Sequence, residues 1–312
     1  DPHNQVDMFT KATMPAVINC TPEQMEFIAD SYAQQVSILK FLGFDMVSIH
    51  LCYRGQLPTQ FLSPLTNKRT DEYNGSLENR AKFPLLCLER IRKAAGRDMI
   101  VELLFSGEEP EGGYTMDEGV EFLKMAEPYV DIVQFRAGVA DPNHPIPFEL
   151  QHTPFLKYAE NAKKKGLKMK VACVGGFHYF EDIEAAVAEG KLDIVSAARA
   201  FISNPDYGQL LQEGRADDLV PCLRCNKCHI PGPEQWNTVC SVNPEWGLEH
   251  KIERLVTPPT RLKKIAVVGG GPAGMEAALL AAKRGHTVTL YEKEGRFLAC
   301  SAHPERITYK HP

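Results

Sequence analysis

The sequence predicts an α/β fold: a partial (β/α)8 barrel comprising strands four to eight, then a cysteine-rich loop, then the start of a Rossmann-like nucleotide-binding domain. Three observations carry that expectation. Five short apolar runs each follow an amphipathic run, about 30–50 residues apart, and such alternation means a parallel sheet with helices outside. Four of the nine cysteines fall between Cys222 and Cys240, spaced C-x2-C-x2-C-x11-C. Beyond them, Gly269-x-Gly271-x-x-Gly274 joins a β-rich run to a helical one.

Taken in order, residues 1–20 read as loop with a turn at Met14-Pro15. Thr21 as N-cap, Pro22 at the first helical position and Gln24 at the capping-box position start a helix. It runs to about Leu42, with Phe27, Ala29, Tyr32, Val36 and Leu39 near one face and Gly43 ending it. Phe44 to His50 is a strand apolar enough to be buried on both faces. The unit then repeats. Helices at 80–95, 116–127, 155–165 and 180–189 alternate with strands at 99–105, 131–135, 169–174 and 192–197. A doubly wound sheet and a barrel both put ligands at the C-terminal strand ends. Gly175-Gly176 after one strand and Arg199 after the next match the paired phosphate site of a barrel's last two strands, which decides for the barrel. Asn204 starts a short helix toward Gly214, residues 241–262 are a connector, and 264–291 read as strand, turn, helix and strand. The tail from Phe297 shows no periodicity. The expected divisions are 1–215 for the barrel part, 216–260 for the cysteine segment and 261–312 for the nucleotide unit. Three barrel strands and most of a nucleotide domain are wanting, so a fragment of a longer gene product is expected.

A composition 44% hydrophobic supports a large core, and a net charge of −5 gives no reason to expect nucleic acid. The run Lys163-Lys164-Lys165 reads as the end of a solvated helix. No apolar run approaches the ~18–20 residues that span a bilayer. With no leader before Asp1, a cytoplasmic, reducing location is expected.

Thiolates gathered as closely as Cys222, Cys225, Cys228 and Cys240 bind a metal or cluster, or pair as disulfides. Structural zinc tolerates C-x2-C pairs, whereas three nested cysteines with a distant fourth suit a cubane [4Fe-4S] cluster better. The position between a βα-repeat region and a dinucleotide fingerprint suits an electron relay. The fingerprint's glycines let a pyrophosphate approach a helix N-terminus, and Glu292 at the next strand tip would bind a ribose hydroxyl. Gly175, Gly176 and Arg199 would hold a phosphate through backbone N–H groups and a guanidinium fork. His50, Tyr53 and Arg54 follow one strand end, where imidazole and guanidinium could hold an oxygen and the phenol could give a proton; a rim histidine and a paired arginine are the structural alternative. The polar stretch 61–80 reads as a loop fixed by hydrogen bonds among Arg69, Asp71, Asn79 and Arg80.

That stretch, Phe61-Leu-Ser-Pro…Asn67-x-Arg69-Thr-Asp71-x-Tyr73-x-Gly75-Ser-x-x-Asn79-Arg80, resembles the hallmark loop of the old yellow enzyme family of FMN-dependent oxidoreductases. The cysteine group and Val267 to Gly274 resemble its long iron–sulfur branch, which holds 2,4-dienoyl-CoA reductase and trimethylamine dehydrogenase. The resemblance implies FMN at Gly175, Gly176 and Arg199, a [4Fe-4S] cluster on Cys222, Cys225, Cys228 and Cys240, and FAD at Gly269, Gly271, Gly274 and Glu292. It further implies electrons passing from NAD(P)H through FAD and the cluster to FMN, then to an activated C=C of a small molecule. An amine dehydrogenase and a non-catalytic fragment are the alternatives; a homo-oligomer is compatible with either. Two departures stand out. Leu104 occupies the place of an arginine beside the flavin pyrimidine, and one extra residue before Phe61 displaces His50, leaving Tyr53 and Arg54 as replacements.

Overall fold

The computed structural model describes residues 15–52, 54–137, 153–228, 238–293 and 307–310. The chain forms two compact units: one runs through Ala198 and includes Arg224–Asn226, and the other holds Arg199–Leu223 and everything from Lys227.

In the first unit, helix α1 (Pro22–Phe41) starts as its sequence dictates. Thr21 Oγ1 accepts from the Gln24 N–H at 3.3 Å, and Gln24 Oε1 accepts from the Thr21 N–H at 2.9 Å. Then follow β1 (Met46–Leu51), α2 (Leu57–Leu62), α3 (Leu77–Ala95), β2 (Ile100–Ser106), α4 (Met116–Ala126), β3 (Ile132–Ala137), α5 (Leu156–Lys164), β4 (Lys170–Val174), α6 (Phe180–Ala188) and β5 (Ile194–Ser196). The five strands pair in parallel in the order β1-β2-β3-β4-β5. A doubly wound sheet reverses direction at a switch point, whereas uninterrupted sequential order is the winding of a barrel wall. The expected arc of barrel is what forms.

Alternation then sorts the side chains. Val47, Ile49, Val101, Leu103, Phe105, Val133, Phe135, Val171 and Cys173 are buried on the helix-covered face. Phe105 lies against Tyr114 and Phe122, with ring centroids 5.7 and 5.6 Å away. The opposite face carries Ser48, His50, Glu102, Leu104 and Gln134, joined by register. So β1 is buried on one face only, not on both as its apolar run suggests. Phe27, expected on the packed stripe of α1, is 73% exposed, while Met25, Ala29 and Val36 form the buried side. Residues 15–19, expected as loop, are helical.

The stretch 61–80 is pinned less by mutual side-chain bonds than by side chains reaching backbone. Arg69 pairs with Asp71 as expected. Its Nη1 also donates to the carbonyls of Val17 (2.5 Å), Ile18 (3.1 Å) and Cys20 (2.9 Å), and its guanidinium lies over Phe61 and Tyr73. Asn79 instead donates to Asn74 O, and Arg80 to Leu62 O and Glu118. Lysine cannot reproduce that planar fork. Arg69→Lys is therefore expected to leave carbonyls unmatched and lower the unfolding free energy by about 2–3 kcal/mol, read from a denaturant midpoint.

The second unit comprises α7 (Arg199–Ser203), α8 (Tyr207–Gln212), α9 (Glu249–Leu255), β6 (Lys264–Val268), α10 (Pro272–Lys283), β7 (Thr287–Tyr291) and β8 (Ile307–Lys310). Its parallel sheet has the order β6-β7-β8. Ala278 and Ala282 of α10 pack on Val288 and Leu290. Helix α9 corrects the reading of 241–262 as connector, and β8 forms in the tail where the sequence shows no periodicity. Among the described residues no helix is long and apolar enough to cross a membrane.

Candidate functional site

At the C-terminal end of β4, Gly175 and Gly176 have φ of 113° and 83°. A Cβ on Gly176 would come within 2.5 Å of the Thr153 N, so only glycine lets the chain pass here. Arg199, expected to share this site, opens α7 in the second unit, half-buried.

His50 ends the open face of β1, level with Leu104 on β2, and its Nδ1 lies 2.9 Å from the side-chain amide of Gln56. Tyr53 lies outside the described residues. Arg54 is buried at φ 52°, and its guanidinium is 3.5 Å from the carboxylate of Glu109, itself only 5% exposed. Glu109 sits in the loop after β2. It accepts from Ser63 Oγ at 2.6 Å and from the Tyr114 N–H at 3.3 Å. Gln60 holds the Arg54 carbonyl at 2.8 Å. The arginine thus has the carboxylate partner that the structural alternative required.

Burial raises the Glu109 carboxyl pKa, against the opposing pull of Ser63 and Arg54. Above the ordinary carboxylate range the unfolded chain has released a proton that the folded chain still holds, so stability falls as pH rises toward the raised value. Glu109→Gln removes this dependence. The stability of the variant relative to the native protein is expected to climb across that window, measured as denaturant midpoints at several pH values.

Deeper on the open face, four strands contribute to one polar chain. Ser48 Oγ donates to Glu102, and Gln134 Nε2 donates to Glu102 Oε1 at 3.0 Å and to Ser196 Oγ at 3.2 Å. Sequence reading passed over Glu102, Gln134 and Glu109. Their positions inside strands or a glycine-rich loop were visible, but their partners lie tens of residues away.

The cysteine loop has Arg224 and Asn226 in the left-handed region, at φ 56° and 60°. No disulfide forms among the described cysteines. Burial raises the Cys228 thiol pKa, Cys222 and Cys240 push it further, and Arg199 opposes them, so these three thiols share one electrostatic neighbourhood. Cys225 is exposed. Among the described residues no group of three or more His, Cys, Asp or Glu is drawn into metal-holding geometry. Four cysteine sulfurs are by chemistry the donor set of a thiolate-ligated centre. By contrast, burial pushes the scattered thiols of Cys87 and Cys173 up to about 12, which suits packing rather than ligation.

In the second unit, Gly269 (φ 100°) makes the turn after β6, and Gly271 caps α10. Glu292 Oε2 accepts from the Gly270 N–H at 2.5 Å, so the carboxylate at the tip of β7 lies at the glycine turn. Around Gly271 a Cβ would meet nothing within 4 Å, whereas one on Gly274 would lie 1.9 Å from the Gly269 O. A close-packed glycine beside an open one is what a pyrophosphate cradle requires.

Comparison with known proteins matches residues 11–218 to the NADH:flavin oxidoreductase / NADH oxidase family and residues 224–310 to the pyridine nucleotide-disulphide oxidoreductase family. The chain is 36% identical over 302 residues to the NADH oxidase of Thermoanaerobacter brockii, an alignment covering 93% of this chain and 46% of that protein. It is 33% identical over 296 residues to the cinnamate reductase of Clostridium sporogenes, covering 88% and 44%. Among solved structures, 2-naphthoyl-CoA reductase in complex with 2-naphthoyl-CoA aligns with a TM-score of 0.80 at 36% identity, covering 89% of this chain and 43% of that one. The chain thus spans less than half the length of these relatives.

Proposed function

The chain belongs to the NADH:flavin oxidoreductase / NADH oxidase family, and from that premise we propose that the full-length protein is an NAD(P)H-dependent ene-reductase using FMN, a [4Fe-4S] cluster and FAD. The observation that carries this reading is the order of three features in one chain: a phosphate-type glycine pair on a barrel wall, a cysteine quartet, and a dinucleotide fingerprint. When bound, the flavins would supply hydride chemistry at each end and the cluster single-electron transfer between them.

The chain's own residues then have distinct roles. Gly175 and Gly176 admit a phosphate close to backbone, and Arg199 offers it charge. Cys222, Cys225, Cys228 and Cys240 would ligate the cluster. Gly269, Gly271 and Gly274 would receive a pyrophosphate, and Glu292 would turn from the Gly270 N–H to a ribose hydroxyl. At the barrel mouth, His50, Tyr53 and Arg54 would hold the substrate's activating oxygen, with the Tyr53 phenol as proton donor. Glu109 keeps Arg54 in place there. The names of the cinnamate and 2-naphthoyl-CoA reductases support a conjugated carboxylate or thioester as substrate class.

The test is a flavin, iron and acid-labile sulfide assay on anaerobically purified full-length protein. It is followed by turnover with NADH plus a conjugated enoate, and separately with a tertiary amine plus an electron acceptor. A coloured protein that oxidises NADH with the enoate is expected. A colourless protein, or turnover with the amine alone, would remove the reading.

A further inference from the structure

The two ends of the cysteine segment are fastened to a single short helix. Asn204, directly after the last residue of α7 and 5% exposed, meets the peptide of Val220 as another backbone would. Its Nδ2 donates to the Val220 O at 2.7 Å, and its Oδ1 accepts from the Val220 N–H at 2.8 Å. Val220 lies just before Cys222. On the far side, just after Cys240, the buried Asn243 donates from Nδ2 to the Ile202 O at 2.8 Å, while its Oδ1 takes the Glu245 N–H at 3.0 Å. Ile202 lies in the last turn of α7 and Asn204 closes it, and Ser203 Oγ braces that turn by donating to the Ala200 O at 2.9 Å. None of these bonds involves a thiol.

We propose that Asn204 and Asn243 are positioning residues that close the cysteine segment into a loop before any metal arrives. Four thiols scattered on an open chain must give up loop-closure entropy to meet at one centre. A loop whose ends are already held together starts with part of that cost met, and preorganisation of that kind raises affinity without touching the ligand. A carboxamide suits this role, because two separate atoms of one side chain meet the N–H and the C=O of Val220, whereas a carboxylate has no donor and a hydroxyl offers a single atom. The two asparagines fasten opposite ends of the same loop, so losing either opens it. Their effects should overlap rather than add. The proposal rests on the reading that the quartet binds a cluster.

The experiment uses full-length protein purified anaerobically, as native chain and as Asn204→Ala, Asn243→Ala, Asn204→Asp and the double alanine variant. Iron and sulfide per bound FMN, the visible cluster absorbance, and the rate of cluster loss to a chelator are measured. Each alanine variant is expected to keep its FMN yet lose its cluster at least about tenfold faster, the range typical of outer-shell partners of a metal site. The double variant should be no worse than the poorer single one. Asn204→Asp, keeping the bond from the Val220 N–H, should fall between. A native protein that binds flavin but no iron would sink the cluster reading and the latch with it. A native protein with iron, whose alanine variants hold it as tightly, would sink the latch alone. If Asn204→Ala also sheds its flavin, Asn243→Ala decides, because it breaks a single bond to α7. Loss of flavin and iron in step in that variant too would show a general folding role and overturn the proposal.

Discussion

Cys222→Ser in the full-length protein is expected to lower NAD(P)H-driven alkene reduction by more than about a hundredfold while FMN stays bound, exceeding the cost of losing an outer-shell partner alone. The physical ground is that, under the proposed function, electrons would cross one at a time between two flavins. A hydroxyl is a poor replacement for a thiolate on iron, and Cys222 shares the electrostatic neighbourhood of Cys228 and Cys240. Cys222 is not among Gly175, Gly176 and Arg199, the residues to which the proposed function gives the FMN phosphate, so FMN is expected to stay bound. Reduction of the same alkene with dithionite as electron source, which needs no relay, should survive. That split separates a severed path from a damaged active site. A variant stripped of iron but still reducing the alkene at the native rate from NADH would show that electrons do not pass through the quartet.

What the sequence made legible follows from the range of the interactions that fix each feature. The start of α1 is written in Thr21, Pro22 and Gln24, and the bonds form among those neighbours. The barrel strands declared themselves as apolar runs because one face is wholly covered by helices. Helices α2, α7 and α9 were missed because five to seven residues make too few turns for a period to show. Candidate residues stood out in the sequence where a motif is local, in the cysteine quartet and the Gly269–Gly274 turn. The sequence was illegible where partners come from afar: Arg54 against Glu109, Ser48 and Gln134 against Glu102, Asn204 against Val220. Each of these is an ordinary polar residue until the fold supplies its counterpart.

Gly271→Ala and Gly274→Ala, though close together in one turn, are expected to fail in different ways, and the difference tests what each glycine is for. Helix propensity alone favours alanine over glycine by about 1 kcal/mol, so at Gly274, inside the first turn of α10, alanine ought to help. It would instead place a Cβ 1.9 Å from the Gly269 O and 3.6 Å from Val267 Cγ1. The carbonyl belongs to a turn whose backbone is held by the bond from the Gly269 N–H to the Tyr291 O at 2.8 Å, so it has little room to yield. Overpacking of this kind costs up to about 3 kcal/mol, which outweighs the propensity gain. Gly274→Ala should therefore loosen the nucleotide unit itself, lowering its melting temperature and its FAD content together. Around Gly271 a methyl would meet nothing, so Gly271→Ala should leave the melting temperature of the flavin-free protein unchanged. Under the proposed function the methyl would stand where a pyrophosphate would approach, and FAD per chain should fall to a small fraction of the native value while FMN is retained. Measured flavin ratios decide it: an alanine at 271 that carries a full complement of FAD would mean that this turn faces no dinucleotide, and that its glycines serve packing alone.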